Sequence, residues 1–277
     1  MIILIQCVDQ VGLVAAVSKV TANAGLNIIS MREYVNIDAN RFYLRLEVAD
    51  ENFEPAFVKT ALEKVLPENS SIGIATGTKK KIVVLVTKEY HCLGDILLRN
   101  YFNTLGASVA CVIGNHETLR GLTEKFDIPF HFIDHTDISK EYFEETLMQT
   151  LSNYSFDYIV LAKFMRILSP GFVAVFPYRI INIHHSFLPA FIGANPYRQA
   201  HERGVKLIGA TAHFVTDTLD EGPIIAQQII PVNHAHSVKD MVTLGKEVEE
   251  AVLAKALQLV LQDRVIVDKN KTVVFEN

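Results

Sequence analysis

Cysteine is scarce in this 277-residue chain, and its spacing does not suit cross-linking. Cys7, Cys92 and Cys111 are an odd number, far apart and without a CxxC pair, which favours reduced thiols over a disulfide framework. No apolar stretch reaches the ~20 residues that a membrane-spanning helix needs. The opening run MIILIQCVDQ meets an acid before it becomes long enough for a signal peptide, so a cytoplasmic location is expected. Positive charge is also in deficit, with 26 Lys and Arg against 31 Asp and Glu. A general nucleic-acid or membrane-surface binder needs a cationic face, so neither partner is expected. Metal-ligand spacing is missing too. None of His184, His185, His213, His234 and His236 forms an HExxH pattern, and no cysteine lies nearby, so no metal is expected. What the chain does have is apolar residues, at 49% against 21% charged. That balance suits a globular protein with a sizeable core, in one large domain or two ordinary ones.

The pattern divides near residue 78. Before it, Ile2–Cys7 reads as a strand, Asp9 as a helix N-cap, and 11–24 as a helix closed by Gly25. Residues 27–37 and 41–48 read as strands paired across a turn at Asp38, Ala39 and Asn40. A helix near 53–65 and a strand over Ser71–Ala75 complete a βαββαβ order, which is a ferredoxin-like sandwich. The glycine-led run GTKKK (77–81) is a polar break, read as a solvated linker in preference to an anion site. Beyond it, strands at Ile82–Val86, Ser108–Ile113, Pro129–Ile133, Asp157–Leu161 and Arg179–Ile183 alternate with helical segments. Alternation of that kind predicts a doubly wound, mostly parallel α/β sheet over 79–277, with ligands beyond the carboxyl ends of its strands. A last long helix is expected over Ser237–Leu261.

Two segments carry the chemistry: IINIHHSFLPAFIG (180–193) and IGATAHFVTDTLDEGP (208–223). Asn182 and His184 are two residues apart, so on a strand both face one side. Pro189 and Gly193 then end the strand and open a loop. Asp220 adds a carboxylate. An amide can hold a developing oxyanion, an imidazole can move protons, and a carboxylate can fix the imidazole or align water. The set suits attack of water or an amine on a carbonyl. Alternatively, Asn182 and His184 could merely satisfy backbone groups in a buried strand, and Asp220 could be an ordinary turn aspartate. Alternation sends His185 away from the catalytic face, which makes it structural.

At these residues the chain resembles the formyltetrahydrofolate deformylases, hydrolases of the formyltransferase fold. The runs that carry the resemblance are HCLGDILLRN, LAKFMRILSP, INIHHSFLPAFIGANPYRQA and GATAHFVTDTLDEGPII, and the first 78 residues look like an ACT domain. The resemblance implies hydrolysis of 10-formyltetrahydrofolate to tetrahydrofolate and formate, which supplies formate for purine and one-carbon metabolism, with no cofactor. It implies Asn182, His184 and Asp220 as the catalytic residues. Substrate contacts fall at Arg166, Ile167 and Leu168, whose backbone would hold the pterin ring, and at His213, Val215 and Asp217. It further implies a homo-oligomer and a small amino-acid effector at Asp9, Gly12 and Asn27. A simple surface salt bridge is a rival reading for Arg166, and helix capping is one for Asp9 and Gly12. The chain has Asn195 and Arg198 where the family pattern has Arg and His, and CVDQVGL in place of CPDxxG.

Two other functions compete. A formyltransferase passing the formyl group to an amine such as glycinamide ribonucleotide needs a glycine-rich phosphate cradle after the first strand of this domain. Here that loop is TKEYHCLG (87–94), with bulky Tyr90 and His91 and acidic Glu89, so the nucleotide site is expected to be filled. An amino-acid- or folate-sensing binding protein without turnover would have no need of the catalytic trio. Whether His184 or Asp220 is the primary base stays open at this level.

Overall fold

Period-two alternation in IILIQCV puts every second side chain of β1 (Ile2–Val8) into a core and leaves the others half exposed. This strand begins the first of two compact units in the computed structural model, which describes residues 1–49, 54–189 and 196–276. The chain continues through α1 (Leu13–Asn23), β2 (Asn27–Asn36), β3 (Arg41–Ala49), α2 (Pro55–Glu63) and β4 (Ser71–Ala75). The order β2-β3-β1-β4 is antiparallel throughout, a ferredoxin-like βαββαβ arrangement. Ile3 and Ile5 pair with Leu46 and Leu44 across the sheet and pack with Val17, Val58 and Leu62 of the helices. The turn between β1 and α1 differs from expectation. Gly12, not Asp9, is the N-cap of α1. It sits at φ 92 and offers no side-chain cap, because the chain needs a left-handed residue there. Gly25 closes α1 as expected, with Leu26 N–H donating to Thr21 O and Gly25 N–H to Ala22 O, a Schellman motif. Helix α2 begins at Pro55, where the missing N–H costs nothing. Residue 53, the expected start, lies outside the described residues.

The second unit opens with β5 (Lys80–Val86), whose last five residues are all buried, as in a strand covered on both faces. Then come α3 (His91–Tyr101), β6 (Ala107–Gly114), α4 (Arg120–Glu124), β7 (Phe130–Phe132), α5 (Lys140–Leu151), β8 (Tyr158–Ala162), α6 (Pro170–Val175) and β9 (Ile180–His184). They are followed by α7 (Pro196–Arg203), β10 (Leu207–Phe214), β11 (Ile224–Pro231) and α8 (Val238–Leu261). The described strands form a seven-stranded sheet in the order β11-β10-β9-β8-β5-β6-β7. Pairing is parallel from β9 to β7 and antiparallel at β9–β10 and β10–β11. The winding direction reverses between β5 and β8, and the ends of β5, β8 and β9 open on that crevice. Helix α8 starts at Ser237, whose hydroxyl and the Asp240 carboxylate form a reciprocal capping box.

The chain ends in a hairpin of β12 (Val265–Asp268) and β13 (Lys271–Val274). Asp263–Asp268 and residues 273–276 group with the first unit, not with the second as the 79–277 reading expects. Side chains distant in sequence hold this return. Asp268 accepts from Gln6 Nε2 (3.0 Å) and Tyr43 OH (2.6 Å), and Arg45 Nε donates to Asp263 O (3.0 Å).

Candidate active site

Strand β9 is buried along nearly its whole length, and antiparallel β10 fixes what faces its polar residues. The register sets His213 directly opposite Asn182, and Thr211 opposite His184. Cross-strand partners share one face, so Asn182 Nδ2 lies 3.2 Å from His213 Nε2. The carbonyl oxygen of Phe214 can only accept, so His213 Nδ1, 2.9 Å away, carries a hydrogen. Neutral His213 then accepts the Asn182 amide hydrogen at Nε2, and Asp220 Oδ1 lies 3.6 Å from the same nitrogen, within ion-pair distance. Thr211 pins the turn after β9. Its hydroxyl donates to Ser186 O (2.9 Å) and accepts from Leu188 N–H (3.1 Å).

Asp220 reaches this face from the loop between β10 and β11. Its Oδ2 lies 3.3 Å from His184 Nδ1. The residue adopts φ 56, a left-handed conformation that aspartate tolerates better than most. Gly222 makes the approach possible, since a Cβ there would stand 1.8 Å from Phe214 O. Phe214 N–H then donates to Pro223 O (2.9 Å), which locks the loop to the strand. Asp220 and Gly222 of the DEGP run therefore each have a local reason. Burial alone would push the Asp220 carboxyl up, but hydrogen bonds and charge from His184 and His213 outweigh it and hold the group well below the usual carboxylate range. Asp220 is thus an anion that orients His184 through Nδ1. The other ring nitrogen of His184, Nε2, is buried and has no hydrogen-bond partner among the described residues.

The His184 side chain lines a cavity of about 520 Å³, a size that suits a small-molecule ligand. One wall is the segment from Lys163 to Leu168, another the loop from Val215 to Asp220, and Asn182, His184 and His213 form the base. All nine residues expected as catalytic or substrate-contacting therefore meet at one cavity. Gly193 and Asn195 lie outside the described residues. His185 corrects the alternation argument. The strand ends at His184, so period two no longer applies, and the His185 ring stacks on His184 at 5.0 Å. Burial, then the charge of Lys163, lowers its pKa to about 4, so it is neutral at neutral pH. Arg166 forms no salt bridge among the described residues; its guanidinium lies over the Phe143 ring at 4.7 Å. Asp9, Gly12 and Asn27 do not gather within one chain. Asp9 N–H bonds Asn40 O next to the start of β3, whereas Asn27 pairs with Ala49 at that strand's other end.

The sequence reading missed a second polar group beside the cavity. Glu249 of α8 is 1% exposed, and its carboxylate accepts from His91 Nε2 (2.8 Å), Lys163 Nζ (3.1 Å) and Tyr197 OH (2.7 Å). Gly245 gives Tyr197 room to do so, since a Cβ there would stand 2.1 Å from its hydroxyl. Burial would push Glu249 up, but the His91 hydrogen bond, the Lys163 charge and the Tyr197 hydroxyl bring it down to about 2. His91, Cys92 and Glu249 bring ligand atoms within 4.8 Å of one another. The Lys163 ammonium already supplies the positive charge that a cation would bring to this carboxylate. His91 thus fills the loop after β5, where a phosphate cradle would need open backbone.

Residues 80–257 match the Formyl transferase family. A formyltetrahydrofolate deformylase of Haemophilus influenzae is 48% identical over 99% of this chain and 98% of its own length. The crystal structure of a formyltetrahydrofolate deformylase from Pseudomonas syringae superposes with a TM-score of 0.94 at 38% identity, covering 99% of this chain and 94% of that one. A glycinamide ribonucleotide transformylase from Symbiobacterium toebii gives a TM-score of 0.68 at 31% identity, covering 72% of this chain and 95% of its own. Nearly full-length identity to one relative and only partial coverage by the other point the same way: the chain belongs to the formyltetrahydrofolate deformylase family.

Proposed function

We propose that this protein hydrolyses 10-formyltetrahydrofolate to tetrahydrofolate and formate, with Asn182, His184 and Asp220 as the catalytic residues. The observation that carries this assignment is the His184 imidazole lining the cavity, held by Asp220 at one nitrogen, with the other buried and without a hydrogen-bond partner among the described residues. Asp220 engages His184 at Nδ1, which leaves Nε2 to take the proton as water attacks the formyl carbon. The second amide hydrogen of Asn182 stabilises the tetrahedral oxyanion, and protonated His184 returns the proton to N10 as the C–N bond breaks. Asp220 stabilises the imidazolium in between. His213 keeps Asn182 in place.

The pterin ring lies against the backbone of Arg166, Ile167 and Leu168, with Val215 and Asp217 closing over it. Phe143 engages the Arg166 side chain, which supports a backbone role for that residue. The buried His91 and the exposed Tyr90 beside it support water, not a nucleotide amine, as acceptor. No metal or other cofactor takes part.

The first unit acts as an ACT domain. Its β2 lies at a sheet edge with Ile29 strongly exposed on it and Ile37 exposed just beyond its end, which supports pairing with a second copy and a homo-oligomer. A small amino-acid effector binds at the Asp9–Gly12 turn. Asn27, at the other end of β3, could join that site only from another copy. Among the described residues no helix is long and apolar enough to cross a membrane, which accords with a cytoplasmic enzyme.

The deciding experiment is formate release from 10-formyltetrahydrofolate with water as the only acceptor and a chelator present. Release that His184→Ala abolishes supports the reading. Release only after an amine acceptor is added overturns it in favour of a transferase.

A further inference from the structure

The cavity wall from Lys163 to Leu168 is a strap whose ends are tied to two buried carboxylates on separate helices. At the first end, Lys163 leaves β8 with a left-handed backbone, φ 59, a conformation that lysine holds only when its surroundings impose it. Its ammonium is bound to Glu249 of α8 at 3.1 Å, and Glu249 is fixed in turn by His91 and Tyr197. At the far end, Glu144 of α5 accepts the Ser169 N–H at 2.7 Å and the Ser169 hydroxyl. Glu144 is itself 9% exposed. Between the ties, Met165 N–H donates to Thr87 Oγ1 at 2.9 Å. Phe164 and Leu168 are buried, while Met165 and Ile167 are 62% and 61% exposed. The strap therefore keeps two apolar anchors inward and offers two apolar side chains and its backbone outward.

Neither carboxylate reaches the catalytic trio through the contacts described above. Both act on the backbone of the wall that a flat ring would lie against. We infer that Glu249, through Lys163, and Glu144, through Ser169, are positioning residues that hold this strap in the shape that receives the folate ring. The inference rests on the folate reading of the cavity. A strap tied at both ends places its peptide groups before the ligand arrives, so ring binding does not have to order six residues. Loosening one tie weakens binding of substrate and product alike and leaves the chemical step intact.

The test uses Glu249→Gln and Glu144→Gln in the full chain, each close in shape to the original. KM for 10-formyltetrahydrofolate is expected to rise about tenfold, with kcat within about twofold of the parent. Calorimetric affinity for tetrahydrofolate should fall by the same factor as KM rises. Lys163→Gln combined with Glu249→Gln restores a neutral hydrogen bond, so the pair should be no worse than the poorer single variant. Should a carboxylate variant fail to fold, Thr87→Val removes the acceptor of Met165 N–H and should raise KM about threefold. Unchanged KM and unchanged tetrahydrofolate affinity beside a lower Tm would make the carboxylates merely structural and overturn the inference. So would a fall in kcat at constant KM, or losses in the Lys163 and Glu249 variants that simply multiply. Tetrahydrofolate affinity needs no turnover. A parent protein that binds it without releasing formate would refute the hydrolase reading and leave the strap to be judged on affinity alone.

Discussion

Gly222 passes so close to Phe214 that a Cβ on it would stand 1.8 Å from the Phe214 carbonyl oxygen. The neighbour is backbone, held in strand β10, so it is the loop that must yield. Asp220, two residues away, reaches His184 only because the loop lies flat on the strand end. Gly222→Ala should therefore cost about a hundredfold in kcat, as a displacement near an ångström in a catalytic group does. Steady-state formate release checks it. A variant with parental kcat would mean that the loop absorbs the methyl group without moving Asp220.

Asp220→Asn keeps the size of the side chain but removes the charge that orients and stabilises the His184 imidazolium. Turnover should drop about a thousandfold or more, with tetrahydrofolate affinity nearly unchanged. The double variant with His184→Ala should be little worse than the poorer single, because the two residues act as one unit. Near-normal turnover in Asp220→Asn would remove this carboxylate from the chemistry.

Asn182→Ala should lower kcat by about 10²- to 10³-fold with little change in KM, as expected when an oxyanion donor is lost. Equal losses in KM and tetrahydrofolate affinity, with kcat kept, would place Asn182 in binding instead.

The Glu249 carboxyl is held down to about 2 from an ordinary 4.5. A group with a depressed folded pKa stabilises the fold fully above its unfolded value and loses that contribution as pH falls through the folded value. The stability gap between the parent and Glu249→Gln should therefore be constant above pH 4.5 and close on the way down toward pH 2. The change amounts to about 3 kcal/mol. Urea unfolding at stepped pH measures it. A gap that stays level across that window, or widens, would show that the native carboxylate is not stabilised by His91, Lys163 and Tyr197.

Charge on the exposed edge strand should oppose self-pairing of the first unit. Ile29→Lys is expected to shift the protein toward monomer in size-exclusion chromatography with light scattering, at unchanged Tm. An unaltered mass would place assembly elsewhere.

What the sequence determined by itself was local. Two-residue spacing put Asn182 and His184 on one face because a strand repeats every two residues. The glycine at position 25 marked the end of α1, Ser237 the start of α8, and the run DEGP announced a tight turn at Asp220. The alternation of strands and helices after residue 80 was enough to predict the parallel part of the sheet and the location of its ligand crevice. Tertiary structure decided everything that depends on which distant segments meet. The antiparallel register of β10 set His213 against Asn182. The end of β9 released His185 from alternation and stacked it on His184. A cap read as Asp9 became Gly12, because the path of the chain required a positive φ there. The terminal hairpin returned to the first unit through Asp268 and Tyr43, partners 225 residues apart. Helical spacing puts Glu249 on the buried stripe of α8 with Gly245, Val252 and Leu253, but its partner His91 is 158 residues away. Periodicity reports only on neighbours along the chain. A buried carboxylate takes its meaning from the groups that replace its water, and those were chosen by the fold.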